Sequence, residues 1–216
     1  MPALPFDADD AVLTLSDADP TLAALIHVVG PFTVSIDEPI EVFEALCQAI
    51  VHQQLSGKAA GTIYGRFLSL LDNQAVDPRA VAQIEPETLR SCGLSRAKTA
   101  AILDLADKSI SGLVPPLRDL QDMSDSDIID RLTQVRGIGT WSVQMLLMFR
   151  LGRPDVFPAA DLGVRKGFAL VYGRNSLPNP KEFEVFSQRW RPFRTVAAWY
   201  FWRALELDTD RIPTPT

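Results

Sequence analysis

Residues 125–173 read DSDIIDRLTQVRGIGTWSVQMLLMFRLGRPDVFPAADLGVRKGFALVYG, and their pattern decides the fold. The first part is helix, tight turn, helix. Gly137 and Gly139 bracket Ile138, and glycine at both places allows positive φ and lets the backbone come close to another surface. Thr140 is placed to cap the second helix, whose Val143, Leu146 and Leu147 share one inward face. Such a turn leaves several backbone N–H groups unpaired at a helix N-terminus, a ready site for a phosphate oxygen. An isolated G-x-G is more often only a tight connection between packed helices. The run here is longer.

Working outward, Asp161 precedes LGVRKGFALVYG, in which Val164, Phe168 and Val171 form an inward stripe, so it reads plainly as that helix's N-cap. Upstream, Phe43, Leu46 and Ile50 recur at helical spacing after Pro39, and Ala59, Ile63, Phe67 and Leu71 do the same. Two amphipathic helices therefore flank HQQLSG, with Ser56 capping the second and His52, Gln53 and Gln54 at the joint. Residues 72–91 are mixed in character. Ser95 opens a further helix with Ala101, Ile102 and Leu105 inward, Pro115 and Pro116 forbid a continuous helix, and Ser124 caps the next one. The strand candidates are short apolar pieces, AVLTL (11–15) and FTVSI (32–36). The pattern predicts an all-α protein. LRSCGLSRAKTAAIL (89–103) faintly echoes LTQVRGIGTWSVQML (132–146), two uses of one helix-turn-helix idea.

At 216 residues and 47% hydrophobic, the chain can bury a substantial core and is expected to form one unit, residues 1–216, with two lobes. No apolar stretch approaches the roughly 20 residues of a membrane span, and MPALPFDADDAV has neither the basic start nor the apolar run of a secretion signal. A soluble, intracellular, cytoplasmic protein with no membrane partner is expected. Cys47 and Cys92 are too few for a disulfide scaffold, and no cysteine cluster could hold zinc or an iron–sulfur cluster. The net charge of −6 argues at first against a nucleic-acid partner. Its distribution points the other way. Residues 1–46 carry nine acidic side chains and no Lys or Arg, whereas residues 131–174 hold six Arg and one Lys against two Asp. The basic part coincides with the glycine turn, although a charge run is usually a solvated face.

Four blocks in order, FEALCQAIVHQQLSGKAAGTI, VRGIGTWSV, PAADLGVRKG and WRPFRTVAAWYFWRA, resemble the helix-hairpin-helix DNA glycosylase superfamily, in particular the 3-methyladenine DNA glycosylase II family. They cover roughly residues 39–205 and are together far more specific than any one of them. The resemblance implies a two-lobed helical fold with a cleft. One lobe, about residues 40–150, would carry the hairpin; the other would combine residues 1–39 and 151–216. With only about 40 residues before the first block, the N-terminal β domain of some relatives is expected to be absent or reduced. The family's hairpins also hold a monovalent cation, Na+ or K+, through backbone carbonyls, which by position are those of Thr133, Val135 and Ile138. No other cofactor is expected.

By resemblance Asp161 is the catalytic carboxylate. Breaking the bond from a base nitrogen to C1′ leaves the sugar oxocarbenium-like, and a nearby carboxylate stabilises that charge and helps orient or deprotonate a water. An alkylated purine is already cationic and leaves easily, so one carboxylate suffices. Where lyase members carry a lysine nucleophile, this chain has Trp141, which implies a monofunctional enzyme that leaves an abasic site. Trp141 also suits a cationic base. Trp202 aligns with a second pocket aromatic or is core beside Trp199, Tyr200 and Phe201. Met145 stands where some relatives have an aromatic, which puts the substrate range in doubt. The flipped base leaves a gap to be filled, for which Gln54 is the family's wedge position and Leu55 the runner-up; Gln53 is expected at the opposite strand or the pocket. Ser56, the Gly137-Ile138-Gly139-Thr140 turn, Arg136, Arg165 and Lys166 are the expected DNA contacts, any of the charged ones being otherwise simply solvated. The partner implied is double-stranded DNA with damaged bases, bound by a monomer, with the acidic residues 7–19 facing away from it. Three readings stay open: a glycosylase for 3-methyladenine and 7-methylguanine, one for deaminated or oxidised bases, and a catalytically inactive DNA-binding module.

Overall fold

The computed structural model describes residues 4–36 and 40–208, and among them it contains helices and no strand. Pro39, from which the first matched block was counted, lies outside the described residues. In chain order the helices are α1 (Ala8–Ala18), α2 (Pro20–Val29), α3 (Val42–His52), α4 (Gly57–Leu68), α5 (Pro78–Ala82), α6 (Pro86–Ser91), α7 (Arg96–Ile110), α8 (Leu117–Leu120), α9 (Asp125–Leu132), α10 (Thr140–Phe149), α11 (Leu162–Val171), α12 (Pro180–Phe186) and α13 (Arg194–Ala204). The all-α expectation holds.

Neither strand candidate is a strand. AVLTL lies inside α1, because Asp7 accepts from the N–H groups of Asp9 and Asp10 and starts a helix whose Ala11 and Leu15 are both fully buried, four residues apart. FTVSI is irregular, anchored by buried Phe32 and Ile36. Most predicted caps are in place: the hydroxyls of Ser56, Ser95 and Ser124 accept from the N–H groups of Ala59, Lys98 and Asp127. Two details differ. On α4 the buried alanine is Ala60 rather than Ala59. On α10 the Gly139 carbonyl accepts the Val143 N–H at 3.2 Å, so the capping place falls on Gly139 and Thr140 is the first helical residue.

The chain divides into two compact units, Met1–Glu38 with Gln144–Thr216, and Pro39–Val143. The division falls within α10. In the Pro39–Val143 unit, α7 is the central element, packed against α3, α5 and α6 through buried Ala101, Ile102, Leu105 and Ala106. In the other unit α13 is the core helix, buried from Arg194 through Phe201 and packed on α11 and α2. The α11–α13 approach is as close as two helices allow, since a Cβ on Gly167 would overlap the Phe201 carbonyl. Around it Phe168 stacks on Tyr172 and meets Phe183 in a tilted and Phe201 in an edge geometry, arrangements of the kind aromatic quadrupoles favour.

Part of the acidic N-terminal segment serves the fold. Asp19 is buried, caps α2, and accepts from the Tyr172 hydroxyl at 2.6 Å and the Trp190 indole at 3.1 Å. Burial and the Asp19 carboxylate together push the Tyr172 hydroxyl's pKa far up.

Candidate functional site

The hairpin is built in the Pro39–Val143 unit. The Ile138 N–H donates to the Val135 carbonyl at 3.1 Å, closing a four-residue turn whose third residue, Gly137, has φ +77°. That is the backbone a type II turn requires, and an L side chain there is strained. A Cβ would also press to 3.2 Å of the Ala101 methyl on α7. Of the two glycines that allow positive φ, only Gly137 uses it: Gly139 does not, and a Cβ on it would meet nothing within 4 Å. Nothing among the described residues demands a glycine there. Ile138 is buried and pins the turn, while Arg136, Gly137, Gly139 and Thr140 are exposed.

Two residues that sequence reasoning missed hold this turn from below. The Asp104 carboxylate on α7 accepts the Arg136 backbone N–H at 2.7 Å, and Lys108 donates to the same carboxylate oxygen at 2.7 Å and to the Gln134 carbonyl. Burial alone would raise the Asp104 pKa, but the hydrogen bonds from the Arg136 N–H and Lys108, with the charges of both residues, outweigh it and hold the carboxyl below its usual range. The i, i+4 spacing of Asp104 and Lys108 is that of any helix-surface salt bridge, so nothing in the sequence marks them out.

The HQQLSG loop lies in the same unit and is fixed at several points. Lys98 of α7 donates to the Val51 and Gln53 carbonyls, both at 2.8 Å, and the Gln53 side-chain amide donates to the Gly137 carbonyl at 2.9 Å. The His52 ring bonds to the Gln48 carbonyl. Gln54 takes φ +57°, uncommon for a side-chain-bearing residue, and both wedge candidates are exposed, Leu55 by 39%. Gln53 is thus occupied with the hairpin backbone. Ser56 caps α4 and is exposed.

The carboxylate group lies in the other unit. Asp161 is half-buried at the N-cap of α11, and its Oδ1 accepts the Val164 N–H at 2.8 Å and the Trp202 indole N–H at 2.9 Å. Trp202 is half-buried, with its ring 6.0 Å from that of Phe149. It is therefore neither a sealed core residue like Tyr200 and Phe201 nor only an aromatic surface. Gly163 makes this contact feasible: a Cβ there would fall 2.8 Å from Trp202 and 3.1 Å from Asp161 Oδ1. The strand of chain leading to Asp161 is secured by α13, where Arg194 pairs with Asp155 and Glu184 and the Thr195 hydroxyl accepts from the Val156 N–H. Gln144 adds a bond to the Phe157 carbonyl, and Asp161 N–H closes a turn on Pro158.

The remaining predicted residues are placed as follows. Trp141 is 48% exposed at the start of α10, and Met145, one turn later, is half-buried. Arg165 donates through Nε to the Pro178 carbonyl, so part of its guanidinium braces a loop, while Lys166 is exposed. No helix among the described residues is long and apolar enough to cross a membrane. Among the same residues no three His, Cys, Asp or Glu side chains cluster as a metal site.

A glycine-turned hairpin tied to a helical platform and an oriented, helix-capping aspartate are the parts of a helix-hairpin-helix protein of base excision repair. Residues 47–192 match the HhH-GPD superfamily of base excision DNA repair proteins, and the chain belongs to that superfamily as a DNA glycosylase. It is 37% identical over 199 residues to DNA-3-methyladenine glycosylase 1 of Schizosaccharomyces pombe, covering 91% of this chain and 87% of the relative. The structure of the S. pombe 3-methyladenine DNA glycosylase in complex with abasic DNA superposes with a TM-score of 0.83 at 36% identity, over 93% of this chain and 98% of that one. The DNA-3-methyladenine glycosidase of Bacillus halodurans gives 0.82 at 32% identity, over 92% and 91% of the two chains.

Proposed function

We propose that this glycosylase hydrolyses the N-glycosidic bond of alkylated purines, 3-methyladenine and 7-methylguanine, in double-stranded DNA. The observation that carries the reading is the Asp161 carboxylate, fixed through Oδ1 by the Val164 N–H and the Trp202 indole, in a chain similar over most of its length to 3-methyladenine glycosylases. As the bond breaks, its electron pair stays with the cationic purine, which leaves neutral, and positive charge develops at C1′ and the ring oxygen. The carboxylate stabilises that charge, water adds at C1′, and the water proton is taken up through Asp161. An abasic site and a free base result. With Trp141 in the lysine's place, no amine is offered there for a Schiff base, so strand cleavage is not expected.

The hairpin suits a phosphate oxygen: Gly139 opens α10 with no side chain and open space before it, which supports a close approach from outside the chain. Arg136 and Lys166 add exposed charge. The carbonyls of Thr133, Val135 and Ile138 would hold a monovalent cation; they are oxygen donors in the segment between α9 and α10, and the Val135 carbonyl spends only one of its two lone pairs on Ile138. Trp141 offers a half-exposed indole to a cationic base, worth about 0.5–2 kcal/mol.

The test is release of free bases from methylated duplex DNA by the purified protein beside Asp161→Asn. Methylpurine release by the wild type and not by the variant is expected. No release by the wild type, with release from deaminated or oxidised substrates instead, would move the reading to those lesions. Equal release by both proteins would remove Asp161 from the mechanism.

A further inference from the structure

Helix α7 carries, on one face, the attachments of both the hairpin and the HQQLSG loop. Lys98 reaches the loop, Ala101 backs Gly137, and Asp104 and Lys108 hold the Arg136 N–H and the Gln134 carbonyl. Spacings of three, three and four residues put these four side chains on a single stripe. The loop and the hairpin are also joined directly, through the Gln53 amide and the Gly137 carbonyl.

Lys98 has a place in this arrangement that no polar surface residue needs to have. Its stem runs beside the protein and its ammonium is drawn from water to two carbonyls at the C-terminal end of α3, the negative end of that helix. Burial lowers its pKa below the usual lysine value, as desolvation of the cation requires. The bonds it makes fix residues 51 and 53, immediately before Gln54, whose φ of +57° an unconstrained glutamine rarely adopts. The turn that projects Gln54 and Leu55 is thus held in a sparsely populated backbone state by a cation on a different helix.

We propose that Lys98 is a positioning residue for base flipping: by clamping the Val51 and Gln53 carbonyls to α7, it holds the Gln54–Leu55 tip rigid in register with the phosphate-binding hairpin, so that duplex binding drives the tip into the stack. This rests on the glycosylase reading above. A floppy loop would have to be ordered in every encounter, and that ordering entropy would be subtracted from the work available to unstack the base.

The experiment compares Lys98→Met, Lys98→Arg and Gln53→Met with the wild type under single-turnover conditions. Each acts on the same methylated purine, presented either in a fully paired duplex or in a single strand where no partner must be parted and no gap need be filled. Lys98→Met keeps the stem and removes the donor of two charged hydrogen bonds, and is expected to slow excision from the paired duplex by at least about tenfold. Excision from the single strand is expected to change by less than about twofold. Lys98→Arg, which can still donate to both carbonyls, should recover most of the paired-duplex rate. Gln53→Met, which loses only the tie to Gly137, should show the same selectivity at smaller size and serves if Lys98→Met does not fold. Equal slowing on both substrates would show a general structural defect, and no slowing would show that the clamp is dispensable; either overturns the proposal. Failure of the glycosylase reading is separately visible, as absence of release by the wild type from both substrates.

Discussion

Replacing Trp202 by Phe keeps an aromatic ring and deletes one hydrogen bond, that from the indole N–H to Asp161 Oδ1 at 2.9 Å. A hydrogen bond to a charged group contributes about 1.5–3 kcal/mol, and because both side chains are half-buried rather than sealed the lower end applies. If the bond serves to aim the carboxylate, its loss falls on the chemical step, where about 1.4 kcal/mol is tenfold in rate. The expected result is therefore a maximal single-turnover rate lowered on the order of tenfold, with the enzyme concentration for half-maximal rate unchanged. Base release under enzyme excess, with enzyme concentration varied, separates the two quantities.

Gly163→Ala perturbs the same pair from the other side. Its Cβ would stand 2.8 Å from Trp202 and 3.1 Å from Asp161 Oδ1, so the indole and the carboxylate must part although neither has been changed. It should lower the maximal rate in the same manner. Asp161→Asn sets the floor, since its amide oxygen can accept both bonds while the charge is gone, a loss on the order of 10²–10³ in rate. The reasoning fails if Trp202→Phe raises the half-saturating concentration and leaves the maximal rate alone. That pattern would make Trp202 a surface for binding the base and not a holder of Asp161.

The two hairpin glycines should part company: Gly137→Ala costs about 1–2 kcal/mol of stability through its left-handed backbone, whereas Gly139→Ala should leave thermal stability within about 0.5 kcal/mol yet weaken duplex binding in a fluorescence-anisotropy titration. Gly167→Ala collides with the Phe201 carbonyl, and a melting experiment should show a loss above about 3 kcal/mol or no folded protein. For Asp104, whose folded pKa is lowered, the stability it contributes is fully present above its ordinary value of 3.8 and is lost as pH falls through the lower folded value. The melting-temperature gap between wild type and Asp104→Asn should accordingly be flat above about pH 5 and close in more acidic buffer; a gap constant down to pH 2 would contradict the hydrogen bonds assigned to it.

What was legible in the sequence was local. The caps at Ser56, Ser95, Ser124 and Asp161 were readable because a capping side chain bonds within three residues of itself. The hairpin was readable because Gly-Ile-Gly sits between two periodic helices. The AVLTL segment misled because five residues of apolar character fit either period, and the deciding element, the Asp7 cap, lies outside them. Lys98, Asp104 and Lys108 were invisible for a different reason. Their partners are backbone groups 26 to 47 residues away, and a backbone carbonyl or N–H leaves no mark on residue type. Trp202 stood in a run of four aromatics whose identities could not say which one faces outward. Gly163 was the available clue, a glycine two residues after the carboxylate with no turn to justify it.

The double duty of Asp161 as helix cap and as the carboxylate assigned to the reaction is a mechanical advantage and not a compromise. A carboxylate on a free rotamer would have to be ordered as the sugar becomes cationic, whereas one already bonded to Val164 and Trp202 loses that freedom when the chain folds. The cap fixes the backbone at the head of α11, and the indole fixes the remaining rotation, so the direction of the carboxylate follows from the α11–α13 packing that Gly167 permits. Substitutions far from the carboxylate, at the contact of Gly167 with Phe201, should then lower the reaction rate through the aim of Asp161 wherever they leave a folded protein. The same logic fits the buried arginine that holds the loop before Asp161: the Arg194–Asp155 pair adds little net stability once its desolvation is counted, but it fixes both the carboxylate and the carbonyl of Asp155 to α13, at the start of the segment that leads to Asp161.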